Sequence, residues 1–282
     1  MPVPASSPLL PPSVMISETL KKEITVLAVG DIMLGRHCNV QMKEKNDWSY
    51  PFLKTAKLTQ KKEIAFANLE APFVQNCPTS STGMIFCAPF PAIEGLKFAG
   101  INLVSLANNH ILNYGQEGLT QTKELLDQNQ ISYTDSQRLT FKNIDGVDFG
   151  FLAFDLVTYP QTEIISKVKE NKNLVDVLIV SLHWGAEYQP KPNKQQEILA
   201  HQLIDNGVKV VLGHHPHVIQ PIEEYNHGLI FYSLGNFVFD QDWSEETKKG
   251  EIAEIIFEEK EIKSYRTVPV YMQNFCQPQS VN

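Results

Sequence analysis

The chain has 282 residues, 43% of them hydrophobic, with 24 Lys and Arg against 32 Asp and Glu for a net charge of -8. Such a length and apolar content support a sizeable core. The acidic balance, with basic residues no more clustered than Lys21-Lys22 and Lys61-Lys62, excludes a nucleic-acid-binding surface, so an anionic substrate would need bound cations to supply a positive field.

At the amino end, Pro2, Pro4, Pro8, Pro11 and Pro12 interrupt a stretch without a basic start or a continuous apolar run. Residues 1–22 therefore read as a flexible leader and not a signal peptide. No apolar run reaches the roughly 18 residues of a membrane helix, and a cytoplasmic location is the expectation. Cys38, Cys77, Cys87 and Cys276 form no CxxC pair and are expected as reduced thiols; in an exported protein Cys77 and Cys87 would close a loop.

Ile24 to Val29 is a β-rich apolar run that stops at Gly30-Asp31, and Ile64 to Ala67 stops at Asn68-Leu69-Glu70. Leu103 to Ala107 stops at Asn108-Asn109-His110, Val177 to Leu182 at His183-Trp184-Gly185, and Val208 to Leu212 at Gly213-His214-His215-Pro216-His217. Short continuous apolar runs of this kind predict buried strands, each ending in a potential metal ligand. Helical periodicity over Gly118 to Asn129 and Lys194 to Asn206 predicts βαβ units and a mostly parallel sheet. Hairpins are predicted around Asp145-Gly146, around Asn226-His227-Gly228, and between Glu251 to Glu258 and Ile262 to Val270. Tyr232 to Asp240 alternates as a strand. With no repeat or linker, residues 23–272 read as one domain and 273–282 as a frayed tail.

Strand ends at the carboxyl edge are where open α/β sheets place ligands. His215 and His217, two apart in a loop, can turn both rings to one point, and neutral imidazole suits zinc, iron and related ions. Asp31 reads either as a helix N-cap or as a hard oxygen ligand. Arg36 supplies a planar fork for phosphate or carboxylate, or a surface ion pair. Glu70 has two oxygens that can bridge two cations. Asn109 and His110 can serve as ligand and general acid, or as an Asx turn with a hydrogen-bonded histidine. Asn236 and Asp240 read as turn residues or as the rim of a site. His37, His201, His214 and His227 lack such support and read as structural or solvent-facing.

The set resembles the CapA family of poly-γ-glutamate capsule biosynthesis proteins, which have the calcineurin-like metallophosphoesterase fold. The resemblance rests on Gly30 to Arg36, Asn68-Leu69-Glu70, Ala107 to His110 with Tyr114-Gly115, Ser181 to Tyr188, Gly213 to Gln220 and Tyr232 to Phe237. It implies a four-layer α/β/β/α sandwich with mixed sheets and one or two divalent ions (Mn, Fe, Zn or Mg). Glu70 would bridge, Asp31 and His217 would hold one cation, and Asn109, His183 and His215 the other. His110 and Arg36 would be catalytic, with Arg36, Asn236 and Glu187 as substrate-binding groups. The implied function is metal-dependent hydrolysis of phosphoesterase type, on an anionic small molecule or polymer. The alternatives are γ-glutamyl amide hydrolysis or transfer, and a metal-clamped non-enzymatic component among capsule-assembly partners. Met33 stands where the superfamily has a second histidine ligand, Asn113 where an aspartate is usual, and Thr134-Asp135 where a glycine-rich turn is usual.

Overall fold

The computed structural model describes residues 22–159 and 162–281, so the proline-rich leader lies outside the described residues except for Lys22. In chain order the elements are β1 (Glu23–Ile32), α1 (Arg36–Glu44), α2 (Ala56–Thr59), β2 (Ile64–Leu69), β3 (Phe73–Val74), β4 (Ala88–Pro89), α3 (Ile93–Ala99), β5 (Leu103–Ser105), α4 (Gly115–Gln128), β6 (Ser132–Thr134), β7 (Thr140–Ile144) and β8 (Val147–Asp155). There follow α5 (Ile164–Asn171), β9 (Val177–His183), α6 (Lys194–Asp205), β10 (Val210–His214), β11 (Ile222–Tyr225), β12 (Gly228–Phe231), β13 (Asn236–Val238), β14 (Lys249–Glu258), β15 (Glu261–Asn274) and β16 (Gln277–Ser280).

Strand periodicity explains the layering, because successive side chains point to opposite faces. On β1, Ile24, Val26 and Ala28 enter one core together with Phe66, Phe151, Val210, Phe231 and Phe257. Leu27 and Val29 enter another with Met42, Leu96 and Leu126 from helices α1, α3 and α4. A third core joins Leu178, Val180 and Val211 to Val168 of α5 and to Ala200 and Leu203 of α6. The first core is therefore the seam between two sheets, and the other two lie between each sheet and its helices: an α/β/β/α sandwich. Strands buried on both faces read as unbroken apolar runs, which is why β9 is visible as one.

The first sheet runs β16-β15-β14-β1-β2-β5-β6 with β13 also on β1, and the second runs β11-β12-β10-β9-β8-β7. In the first, β1, β2, β5 and β6 are parallel; in the second, β8, β9, β10 and β12 are. Their carboxyl ends lie at a common edge, with Asp31 opposite Asn68 and His214 opposite His183 in register. Glycine makes one of these pairings possible. A Cβ on Gly30 would fall 2.0 Å from the Gly235 carbonyl oxygen, so only glycine lets β13 run beside β1 and bring Asn236 level with Asp31.

The hairpins form where the turn chemistry predicts them: Asp145 and Gly146 both have positive φ, as do Asn226 and His227, the signature of a type I′ turn. In α6, Asn193 caps Gln195 and Gln196 while Gln196 returns a side-chain acceptor to the Asn193 amide, a capping box. Tyr232 to Asp240 is strand only over Asn236–Val238, because Gly235 has φ of +68° and breaks the run.

Two expectations are corrected. The tail expected to fray over 273–282 is strand as far as Ser280: β15 continues to Asn274 and β16 pairs with it, from Val270 opposite Ser280 to Asn274 opposite Gln277. The four cysteines are not free thiols, since Cys38 is bonded to Cys276 and Cys77 to Cys87. The first bond ties the chain end to α1, which explains the ordered tail. Sequence spacing alone does not reveal a partner 238 residues away. Among the described residues, no helix is long and apolar enough to cross a membrane.

Candidate metal centre

Asp31, at the end of β1, is fully buried and receives hydrogen bonds on one oxygen from Asn68 Nδ2 at 2.9 Å and on the other from the His215 amide at 3.2 Å. His214 Nδ1 lies 3.1 Å from Oδ1 and His217 Nδ1 3.3 Å from Oδ2. Burial alone would raise the Asp31 carboxyl, but His214 and His217 outweigh it and hold the group well below the ordinary carboxylate range.

Glu70 follows β2, two residues from Asn68, so strand alternation puts both on one face; Asn68 Nδ2 donates to Glu70 Oε2 at 3.2 Å. The other oxygen, Oε1, is buried without any hydrogen bond and lies 3.5 Å from His217 Nε2. Burial, then the nearby Asp31 and Glu187 carboxylates, push Glu70 well above its usual value against the pull of His217.

His183 ends β9. Its Nδ1 is 3.3 Å from Asn68 Nδ2 and its Nε2 is 2.9 Å from Asn109 Oδ1. Because Asn109 Oδ1 can only accept, Nε2 carries the proton and donates to it. The ring is neutral, because burial and the neighbouring His215 hold His183 well below 6.5. Burial, reinforced by His217, likewise lowers His215 to about 4. Its Nδ1 is buried with no partner.

His217 behaves oppositely. Burial would lower it, but Glu70, Asp31 and Asn236 raise it from 6.5 to about 9. Asn236 Oδ1 sits 3.0 Å from His217 Nδ1, while Asn236 Nδ2 donates to Gln241 Oε1 and the Thr247 carbonyl. The Asn236 amide is thereby locked with its oxygen towards the imidazole, directing Nε2 at Glu70. Such an outer partner fixes the tautomer of a metal-binding histidine.

The donor atoms of Asp31, Glu70 and His183 all lie within 4.8 Å of one another, as do those of Glu187, His215 and His217. Histidine nitrogens with carboxylate oxygens form a set for a divalent transition ion. Unsatisfied buried atoms on Glu70, His214 and His215 are what a fully paired polar core would not leave, so these residues fit a cation. The same cluster also holds the expected pairs: His217 Nδ1 lies 3.3 Å from Asp31 Oδ2, and the His183 and His215 ring centroids are 4.8 Å apart.

Four of the twelve non-glycine residues with positive φ among the described residues, Arg36, Tyr188, His215 and His217, fall at this site, each in a conformation that costs on the order of 1–3 kcal/mol.

His110 is buried, with Nδ1 3.0 Å from Asn113 Oδ1 and its ring stacked 3.8 Å from that of Phe86. Burial pushes it below 6.5. Its neighbour Asn108 is structural, donating to Asn68 Oδ1 and to the Leu69 carbonyl. A groove of about 340 Å³ lined by Asn109, Ile111, Leu119 and Thr158 opens beside this loop.

Of the two readings of Arg36, the structure shows the ion pair: Nε and Nη2 pair with Asp240, and Nη1 donates to the Gly83 carbonyl. Asn236 is fully buried behind His217 instead of standing at a rim. Glu187 lies among the candidate metal ligands. Met33 is core, its sulfur accepting from the Gly35 amide at 3.0 Å. His214, expected as structural or solvent-facing, contacts Asp31 directly. Asn68, Asn113 and Asp240 form the remaining polar frame; their spacing from Glu70, His110 and Arg36 carries a signal only for Asn68.

The model of the family described as bacterial capsule synthesis protein PGA_cap matches residues 25–241. The chain belongs to this family. It is 31% identical over 253 residues to the capsule biosynthesis protein CapA of Bacillus anthracis, covering 79% of this chain and 61% of that protein. It is 32% identical over 241 residues to the PGA biosynthesis protein CapA of Bacillus subtilis, covering 77% and 63%. The chain thus spans less than two thirds of the length of these relatives. Among solved structures it resembles a hypothetical protein from Thermus thermophilus, with a TM-score of 0.59, 14% identity and coverage of 87% and 98%. A novel phosphatase from Mycoplasma pneumoniae gives a TM-score of 0.58 at 13% identity, covering 89% of this chain and 95% of that one. At such identities the likeness speaks for the fold alone, an α/β/β/α sandwich.

Proposed function

We propose that this member of the PGA_cap family is a metal-dependent hydrolase with phosphoesterase-type chemistry. The observation that carries the reading is the buried Glu70 Oε1, left without a hydrogen bond among Asp31, His183 and His217. Asp31, Glu70, Asn109 and His183 would hold one divalent ion, and His215 and His217 with Glu187 a second. A bound ion of this kind supplies Lewis-acid polarisation and a nucleophile from water at neutral pH.

The chain's own residues do the rest. His110 would act as its imidazolium, giving the Nε2 proton to the leaving oxygen while the Nδ1 proton stays on Asn113 Oδ1; burial lowers the ring below 6.5, so this role is strongest on the acid side of neutrality. Arg36, anchored by Asp240, adds positive field near Glu70 and His110. Asn236 sets the orientation of His217. Burial of the set keeps bulk water from screening these charges.

A γ-glutamyl amide is the second substrate class, favoured by the name of the Bacillus subtilis relative, PGA biosynthesis protein CapA. An anionic polymer and capsule-assembly partners belong to the same proposal. Pairing of all four cysteines fits an oxidising compartment better than the cytoplasm.

The test is metal content of protein purified without added ions, with hydrolysis of an aryl phosphate and of a γ-glutamyl anilide across several divalent ions. His110→Ala should keep the metal and lose turnover by about 10²–10⁴-fold; unchanged turnover removes the acid role. Tight metal with no turnover on either compound replaces the hydrolase with a metal-clamped structural component.

A further inference from the structure

We infer that the loop closed by Cys77 and Cys87 is a positioning device for His110, acting through Phe86. This rests on the acid role given to His110 above. The Phe86 ring is 2% exposed and lies against the imidazole at an interplanar angle of 19°, with the Arg36 guanidinium 4.5 Å from its centroid. The ring is thus inserted between the proposed acid and the anchored cation. The backbone takes part as well: the Phe86 amide donates to Asn113 Oδ1 at 2.6 Å, the same oxygen that faces His110 Nδ1. One loop residue therefore fixes the plane of the imidazole and the partner that holds its Nδ1 proton.

The loop is seated for this task at several points. A Cβ on Gly35 would fall 2.3 Å from the Cys87 carbonyl oxygen, so glycine is what lets the loop lie on the turn that carries Arg36. The Gly83 carbonyl accepts from Arg36 Nη1 at 3.1 Å. Phe73 and Val74 pair with Ala88 and Pro89 at the loop's base, and the disulfide closes it beside Tyr114, one residue beyond Asn113. The next two residues outward, Ile85 and Met84, are 68% and 66% exposed. Without the covalent closure, residues 78–86 would have no buried side chain but Phe86 itself to hold them, because Pro78 to Ile85 are all exposed or half-buried. Opening of such a segment releases the ring from His110.

The experiment uses the whole chain loaded with Mn²⁺ and two esters: p-nitrophenyl phosphate, whose leaving group departs without a proton, and phenyl phosphate, whose leaving group needs one. Phe86→Ala should lower kcat on phenyl phosphate by about 10²-fold and on p-nitrophenyl phosphate by no more than about threefold. Phe86→Tyr, which keeps the ring, should restore both. Cys77→Ser with Cys87→Ser should shift the ratio of the two esters in the same direction. Where Phe86→Ala does not fold, Phe86→Leu fills the volume without a ring and takes its place.

Independently of turnover, carbethoxylation of His110 by diethyl pyrocarbonate, located by peptide mass mapping on metal-free protein, should be at least about tenfold faster in Phe86→Ala than in the wild type. An unchanged ester ratio in a folded variant, or an unchanged His110 modification rate, overturns the inference. A wild type inert towards both esters defeats the hydrolase reading instead, and the modification rates then decide the role of the loop.

Discussion

His217 makes the proposed metal site compete with protons. Its imidazole is raised from 6.5 to about 9 by the surrounding carboxylates and Asn236, so in the metal-free protein it is an imidazolium at neutral pH, with Nε2 facing Glu70 Oε1 at 3.5 Å. A cation bound there takes the place of that proton. Each pH unit below about 9 then weakens binding about tenfold, or about 30-fold between pH 8 and pH 6.5. Stability has the opposite sign. The folded value exceeds the unfolded one, so the contribution, on the order of 3 kcal/mol, is fully present below pH 6.5 and is lost as the pH rises through about 9. Metal-free protein should therefore melt lower as the pH rises over this window while the Mn²⁺-loaded protein does not. Titration calorimetry with Mn²⁺ at pH 7, in two buffers of different ionisation enthalpy, should count about one more proton released by the wild type than by His217→Gln. Mn²⁺ affinity that is flat from pH 6.5 to 8, with no such difference in protons released, refutes the argument.

Replacing Asn236 with Ala removes the acceptor that turns His217 Nε2 inward, and Mn²⁺ affinity should fall about 10–100-fold while Asn236→Asp, which keeps an oxygen there, loses less. Gly30→Ala would drive a methyl group to 2.0 Å from the Gly235 carbonyl, and thermal denaturation should show a loss of at least about 1–3 kcal/mol. Cys276→Ser frees the chain end from α1; denaturant unfolding should fall by about 2–5 kcal/mol, with β16 amides exchanging faster than those of β1. A Cys276→Ser variant as stable as the wild type would mean that packing alone holds β16.

Much of the candidate site is readable in one dimension. A strand buried on both faces must be apolar throughout, and a polar residue directly after such a run sits at the sheet edge, so Asp31, Glu70, Asn109, His183, His215 and His217 stand out from local sequence alone. The two I′ hairpins are equally local, because positive φ at consecutive positions selects a narrow group of residues.

Contacts across the fold are a different matter. That Arg36 is occupied by Asp240, that Asn236 lies behind His217 and not at the rim, and that His214 touches Asp31 all depend on which strands become neighbours, as do the grouping of ligands and both disulfides. Periodicity encodes which way a side chain faces relative to its own strand. It contains nothing about the register between segments some 200 residues apart, which is set by how the two sheets and close-approach glycines such as Gly30 pack together.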